Sequence, residues 1–159
     1  MAWRGSTTWA DKIFACLPYL LPLYYGLEFG RFLLVQFPIL NWLIVPLAPV
    51  NFIFNLIPFG LGPLVVFLVL YLLVVRNTNI SHFVRFNAMQ SILLNIILFL
   101  CSLLLGIFVV IPSGFVQETL YNMVFLGTLA AVAYSVVQSL RGQYAEIPTI
   151  SDAAYMQVQ

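Results

Sequence analysis

His82-Phe83-Val84-Arg85-Phe86-Asn87-Ala88-Met89-Gln90-Ser91-Ile92-Leu93-Leu94-Asn95 opens the stretch whose reading decides the fold. It runs on to Ile111 as apolar sequence interrupted only by Cys101, Ser102 and Gly106. The 26 residues from Phe86 to Ile111 carry no formal charge, and a helix needs about 20 such residues to cross a bilayer. On a helical wheel, Asn87, Gln90, Ser91, Asn95, Cys101, Ser102 and Gly106 fall within roughly 160° of arc. Ile92, Leu93, Ile96, Ile97, Leu100, Leu103 and Leu104 occupy the opposite side. The helix therefore has a lipid face and a protein face. Amides cost free energy in hydrocarbon unless paired, so Asn87, Gln90 and Asn95 must meet other helices or water. Two uses of this stripe are open: glue between helices of the bundle, or a docking or translocation seam for another chain, centred on Arg85, Asn87, Gln90 and Asn95.

Composition sets the class. Of 159 residues, 63% are hydrophobic and 7% charged, where a soluble domain carries about 25% charged residues. The chain is read as a single-domain integral membrane protein. Its net charge of +1 and its lack of a basic tract argue against nucleic acid as a partner. Cys16 and Cys101 lie far apart in apolar sequence, which suggests neither a disulfide nor a metal site. The first apolar run, Ile13 to Leu23, has no small-residue cleavage pattern after it, so it reads as a span rather than a signal peptide.

Outward from the central stretch, the spans are expected at about 13–30, 59–75, 86–111 and 119–140, with a polar tail over 141–159. Pro18 and Pro22 each remove a helical hydrogen bond and should kink the first span. Glu28 and Arg31 are neighbours if that helix continues. Phe32 to Val75 holds 44 residues without a charge, but Pro38, Pro46, Pro49, Pro58 and Pro63 interrupt it. Irregular backbone at membrane depth must be covered by protein or water, so 32–57 reads as an interfacial or re-entrant segment, with a fifth span as the alternative. In the last span Gly127, Ala131, Ser135 and Ser139 recur every four residues, a small-residue ridge for helix packing. Thr149-Ile150-Ser151-Asp152 has the spacing of a capping box that starts a short helix; a disordered end is the alternative. The expected fold is all-α: a four-helix transmembrane bundle with a Pro-rich interfacial or re-entrant segment after the first span. Lys/Arg placement favours both ends inside, with Arg4, Lys12, Arg76, Arg85 and Arg141 on that side and Arg31 opposite.

Signs of catalysis are missing. The single histidine, His82, has no nearby carboxylate in sequence, no nucleophile, phosphate-loop or dinucleotide fingerprint occurs, and no cofactor or metal is expected. Apart from Glu28 near the end of the first, the spans hold no Asp, Glu, Lys or Arg of the kind that ion-coupled carriers place there. The expected partners are membrane lipid, other membrane protein subunits and, on the seam reading, a translocating polypeptide.

Four blocks carry a family resemblance. Trp3-Arg4-Gly5-Ser6-Thr7-Thr8, Phe14-Ala15-Cys16-Leu17-Pro18-Tyr19-Leu20-Leu21-Pro22, Arg76 through Gln90 and Ile147 through Val158 together resemble the twenty-kilodalton subunit family of the translocon at the inner envelope of chloroplasts, in its cyanobacterial or plastid-encoded form. The Arg85–Gln90 and Ile147–Val158 blocks are the specific parts. The resemblance implies a tetra-spanning helical protein with both ends on the stromal or cytoplasmic side, in a cyanobacterial membrane or the plastid inner envelope. It also implies membership of a protein-conducting complex.

Overall fold

A computed structural model describes residues 7–108 and 114–158, and among these there is no strand. The chain begins with α1 (Trp9–Cys16), a 3-10 turn (Leu17–Tyr19), α2 (Leu20–Phe29) and α3 (Arg31–Gln36). A 3-10 stretch (Pro38–Leu47) leads into α4 (Ala48–Leu56), and a short turn (Pro58–Gly60) into α5 (Gly62–Val69), which continues as a π-helix (Leu70–Val75). Then come α6 (His82–Phe108), α7 (Gly114–Arg141) and α8 (Ile150–Gln157). This is an all-α membrane bundle of about four spans. The far ends of two expected features, residues 109–111 of the third span and the 112–114 turn, fall on or beside residues outside the described set.

Local chemistry explains the boundaries. Thr8 caps α1 through a capping box, its hydroxyl accepting from the Asp11 N–H while the Asp11 carboxylate accepts from the Thr8 N–H. Where a kink is expected at the prolines, the helix tightens to the 3-10 turn at Leu17–Tyr19. Pro22 has no N–H to return to the Pro18 carbonyl, and the Ser91 hydroxyl of α6 donates there at 2.6 Å. Phe59 and Gly60 both take positive φ, 62° and 70°, in the turn before α5; Gly60 adopts this freely, whereas Phe59 is strained there.

Direct contacts fix which elements share an end of the bundle. Ser81 bonds Asp11, His82 meets the Val158 carbonyl, and a Cβ on Gly142 would lie 2.6 Å from the Thr7 hydroxyl. The start of α1, the 77–81 loop, the exit of α7 and the end of α8 therefore gather at one end. At the other, Arg31 lies over the Tyr121 ring at 4.1 Å and the Gln36 amide donates to Glu118. Arg31 thus serves an aromatic ring of α7, and the pairing with Glu28 anticipated from sequence is replaced by that cation–π contact.

Parity follows. The chain crosses once between Asp11 and Arg31 and must return once before Ser81, yet two apolar helical stretches, Pro38–Leu56 and Gly62–Val75, lie between. The first is long and apolar enough to cross a membrane and the second is shorter. They share a single return, so both cannot be full spans. Asn51 meets Tyr24, and the Phe54 ring packs edge-on to Tyr24 and tilted against Tyr25, while Gly62 packs on the Phe54 backbone. The Pro-rich stretch packs against Tyr19 and Leu21 through Leu47 and Val50, and the chain reaches the Asp11 end through Gly62–Val75.

Packing of α2 on α7 rests on two glycines. A Cβ on Gly26 would stand 2.7 Å from the Thr128 methyl, and one on Gly30 2.8 Å from the Phe125 ring. Gly26 and Gly30 form a G-x-x-x-G pair, which lets helices approach closely where lipid supplies no hydrophobic drive.

Candidate functional site

The polar half of α6 nearest the Asp11 end is enclosed by the chain itself. Asn87 and Gln90 are 0% exposed and Arg85 is 8% exposed. The Asn87 carbonyl oxygen accepts from the Tyr19 and Ser139 hydroxyls, each at 2.9 Å, and its amide donates to the Phe83 carbonyl at 2.8 Å. Gln90 donates to the Ser135 hydroxyl at 3.4 Å and accepts from Ser151 of α8 at 3.3 Å. Ser151 also accepts from the Ile147 N–H and reaches the Ala145 carbonyl, so its one proton is divided between Gln90 and Ala145. The Arg85 Nε donates to the Val75 carbonyl at 2.8 Å. That carbonyl ends the π-helix, where a cation is favoured by the helix dipole.

A clamp of rings closes the same end. His82 sits between Tyr144 and Tyr155, its Nδ1 3.0 Å from the Tyr144 hydroxyl and its Nε2 3.1 Å from the Val158 carbonyl. A carbonyl only accepts, so Nε2 carries a proton toward Val158, and Nδ1 shares a hydrogen bond with the Tyr144 hydroxyl. Phe86 packs on both tyrosines, and Ala154 and Val158 are buried with Val75, Met89 and Ile92. The helix expected after Thr149 therefore forms, but its capping box does not: Thr149 has a φ of 69° and its side chain makes no cap. Docking on α6, with Ser151 bonded into the polar core, holds the helix in place.

The seam expected from Arg85, Asn87, Gln90 and Asn95 divides. Within this chain the Asn87 and Gln90 amides are bonded to its own elements and have no exposed surface, and the Arg85 Nε is bonded to Val75. Asn95 differs. It is half-buried, its carbonyl oxygen is buried without a hydrogen-bond partner, and it borders a cavity of about 350 Å³ lined by Tyr25, Glu28, Phe29, Phe54, Phe67 and Ser102 among others.

The ridge on α7 divides as well. Ser135 and Ser139 are buried and Ala131 is half-buried, whereas Gly127 is exposed with nothing within 4 Å of a Cβ. A spacing of four advances the face by about 40° each step, so Gly127 and Ser139 are about 120° apart. The face that packs within the chain is Phe125, Thr128, Val132, Ser135 and Ser139. Sequence reading did not anticipate the bonds of Tyr19 and Ser151 to the α6 amides, nor the Gly26–Gly30 pair; only the last carried a local signal.

Residues 3–154 match the family model described as "Chloroplast import apparatus Tic20-like". The chain belongs to this Tic20-like family. A Synechocystis protein named "Tic20 family protein" is 47% identical, covering 100% of this chain and 99% of its own length. "Protein TIC 20-II, chloroplastic" of Arabidopsis thaliana is 36% identical over 93% of this chain and 72% of its own length. "Tic20 family protein Ycf60" of Porphyra purpurea is 36% identical over 98% and 79%.

Proposed function

We propose that this Tic20-like chain is a subunit of a membrane protein-translocation complex and borders the polypeptide path instead of enclosing it. The family description and the names of the chloroplast relatives support a translocon subunit over an enzyme. One observation supports bordering over enclosing: the centre of the bundle is filled. Tyr19, Phe86, Asn87, Gln90, Ile92 and Ser135 are all less than 2% exposed, so a polypeptide has no lumen to enter within one chain. A path then runs along an outer face against other subunits, and the Asn95 side of α6 is the polar stretch at membrane depth available for it. Both ends of the chain are assigned to the cytoplasmic or stromal side, in a cyanobacterial membrane or the plastid inner envelope, with the Asp11 end carrying Lys12, Arg76, Arg85 and Arg141.

The filled core equally favours a second reading, a non-conducting structural or assembly subunit. Photo-crosslinkers at Asn95, Leu104 and Met123, with a precursor arrested in transit in the assembled membrane, separate the two. Adducts at Asn95 support the bordering role; adducts only to membrane subunits, at all three positions, return the chain to a structural role. Cysteines at Thr78 and Gln157 should be labelled by an impermeant reagent from the same face, and labelling from opposite faces would refute the assigned sidedness.

A further inference from the structure

A second hollow lies apart from the polar core. It holds about 740 Å³, within the 300–1,000 Å³ range of ligand sites. Phe14 and Leu17 form one wall, Ile53 another, and Val66 and Leu70 a third; Asp11, Asn79 and Ser81 stand at its mouth. The mouth is polar because the Ser81 hydroxyl donates to Asp11 at 2.7 Å, which ties the 77–81 loop to the start of α1. From there the lining follows the chain to Leu21 and is apolar throughout. Ten residues of helix from Asp11 to Leu21 span about 15 Å. The hydrocarbon of one leaflet, half of about 30 Å, is the same depth.

We propose that this groove holds one membrane lipid, with its acyl chain against Leu17, Ile53 and Val66 and a hydrogen-bond-donating headgroup at Asp11 and Asn79. Its dimensions favour a lipid over a helix from another chain. A spanning helix needs the full membrane depth, whereas this groove is polar at one end, apolar at the other and one leaflet deep. Headgroup chemistry follows from the mouth, where a carboxylate and an exposed amide meet and the side chains of the groove contribute no cation. Ammonium or hydroxyl donors fit there, and a quaternary choline offers none.

Native mass spectrometry of the purified chain, with extracted lipid quantified, tests the site. Wild type and Leu104→Trp, a change on an exposed face of α6, should each retain one lipid through detergent washing. Leu17→Trp, which fills the groove from a half-exposed position, should lose it. In exchange with defined micelles, wild type should prefer ethanolamine or glycosyl lipids over choline lipid about tenfold, as hydrogen bonds to a charged group warrant, and Asp11→Asn should erase much of that preference. Equal retention by Leu17→Trp and wild type means annular lipid alone and overturns the site. So does a second copy of the chain, or a peptide, occupying the groove in place of lipid. If Leu17→Trp does not fold, the exchange experiment decides, and a wild type without headgroup preference overturns the proposal.

Discussion

The two halves of the polar stripe on α6 are held in different ways. Toward the Asp11 end, Asn87, Gln90 and Ser91 are fully buried and bonded to side chains or carbonyls of the 3-10 turn, α7 and α8. Toward the Arg31 end, Asn95 keeps an unpartnered carbonyl, and the Ser102 hydroxyl turns back to its own helix at Phe99. There the contacts are shape: Phe29, Leu98 and Phe125 form a core, with the Phe125 ring against Gly30. Lipid gives helices no hydrophobic reason to associate, so hydrogen bonds and close packing are the two means available. This chain uses one at each end of the same helix.

The largest effect should come from Asn87→Leu, which strands the Tyr19 and Ser139 hydroxyls in the core. At about 1–3 kcal/mol for each buried group left unsatisfied, the loss should be roughly 3 kcal/mol, read as a lower melting temperature in detergent. Tolerance of this change would mean that the hydrogen bonds do not hold the near end. Next, Gly30→Ala should cost about 1–3 kcal/mol by overpacking against Phe125. Gly127→Ala, into open space, should gain up to about 1 kcal/mol of helix propensity; equal penalties would show that Gly127 is covered by something other than this chain.

Asn95→Leu should be close to neutral or slightly stabilising, because it removes an acceptor that has no partner to strand. A loss as large as that for Asn87 would erase the contrast between the halves. The smallest effect concerns acid. The Thr8 N–H and the Ser81 hydroxyl hold the Asp11 carboxyl below its ordinary 3.8. A carboxyl lowered on folding binds its proton more readily when unfolded, so it adds stability at pH values above 3.8. That contribution fades as pH falls below 3.8 through the folded value. In acid melts, Asp11→Asn should show a shallower decline than wild type in this window; parallel curves would show that the bonds from Thr8 and Ser81 add nothing.

Much of the fold was legible because bilayers restrict the options. Uninterrupted apolar length marked α6 and α7, and five prolines marked the irregular stretch between Pro38 and Pro63. The direction of the amides was harder to read. Their periodicity placed them on one face, but the groups that satisfy them, Tyr19, Ser139 and Ser151, lie 68, 52 and 61 residues away in sequence. No local pattern distinguishes an internal partner from an external one. On α7, regular spacing suggested a ridge where the helix turns past it, while on α2 Glu28 stands between Gly26 and Gly30 and obscured their packing role.

Ser151 also makes the near end of the bundle depend on the last described element. Without residues 145–158, Gln90 would lack the hydroxyl from which it accepts, and the surface of Phe86, Met89 and Ile92 would lie open where Ala154 and Val158 now cover it. A chain cut after α7 would therefore expose an amide and an aromatic patch together.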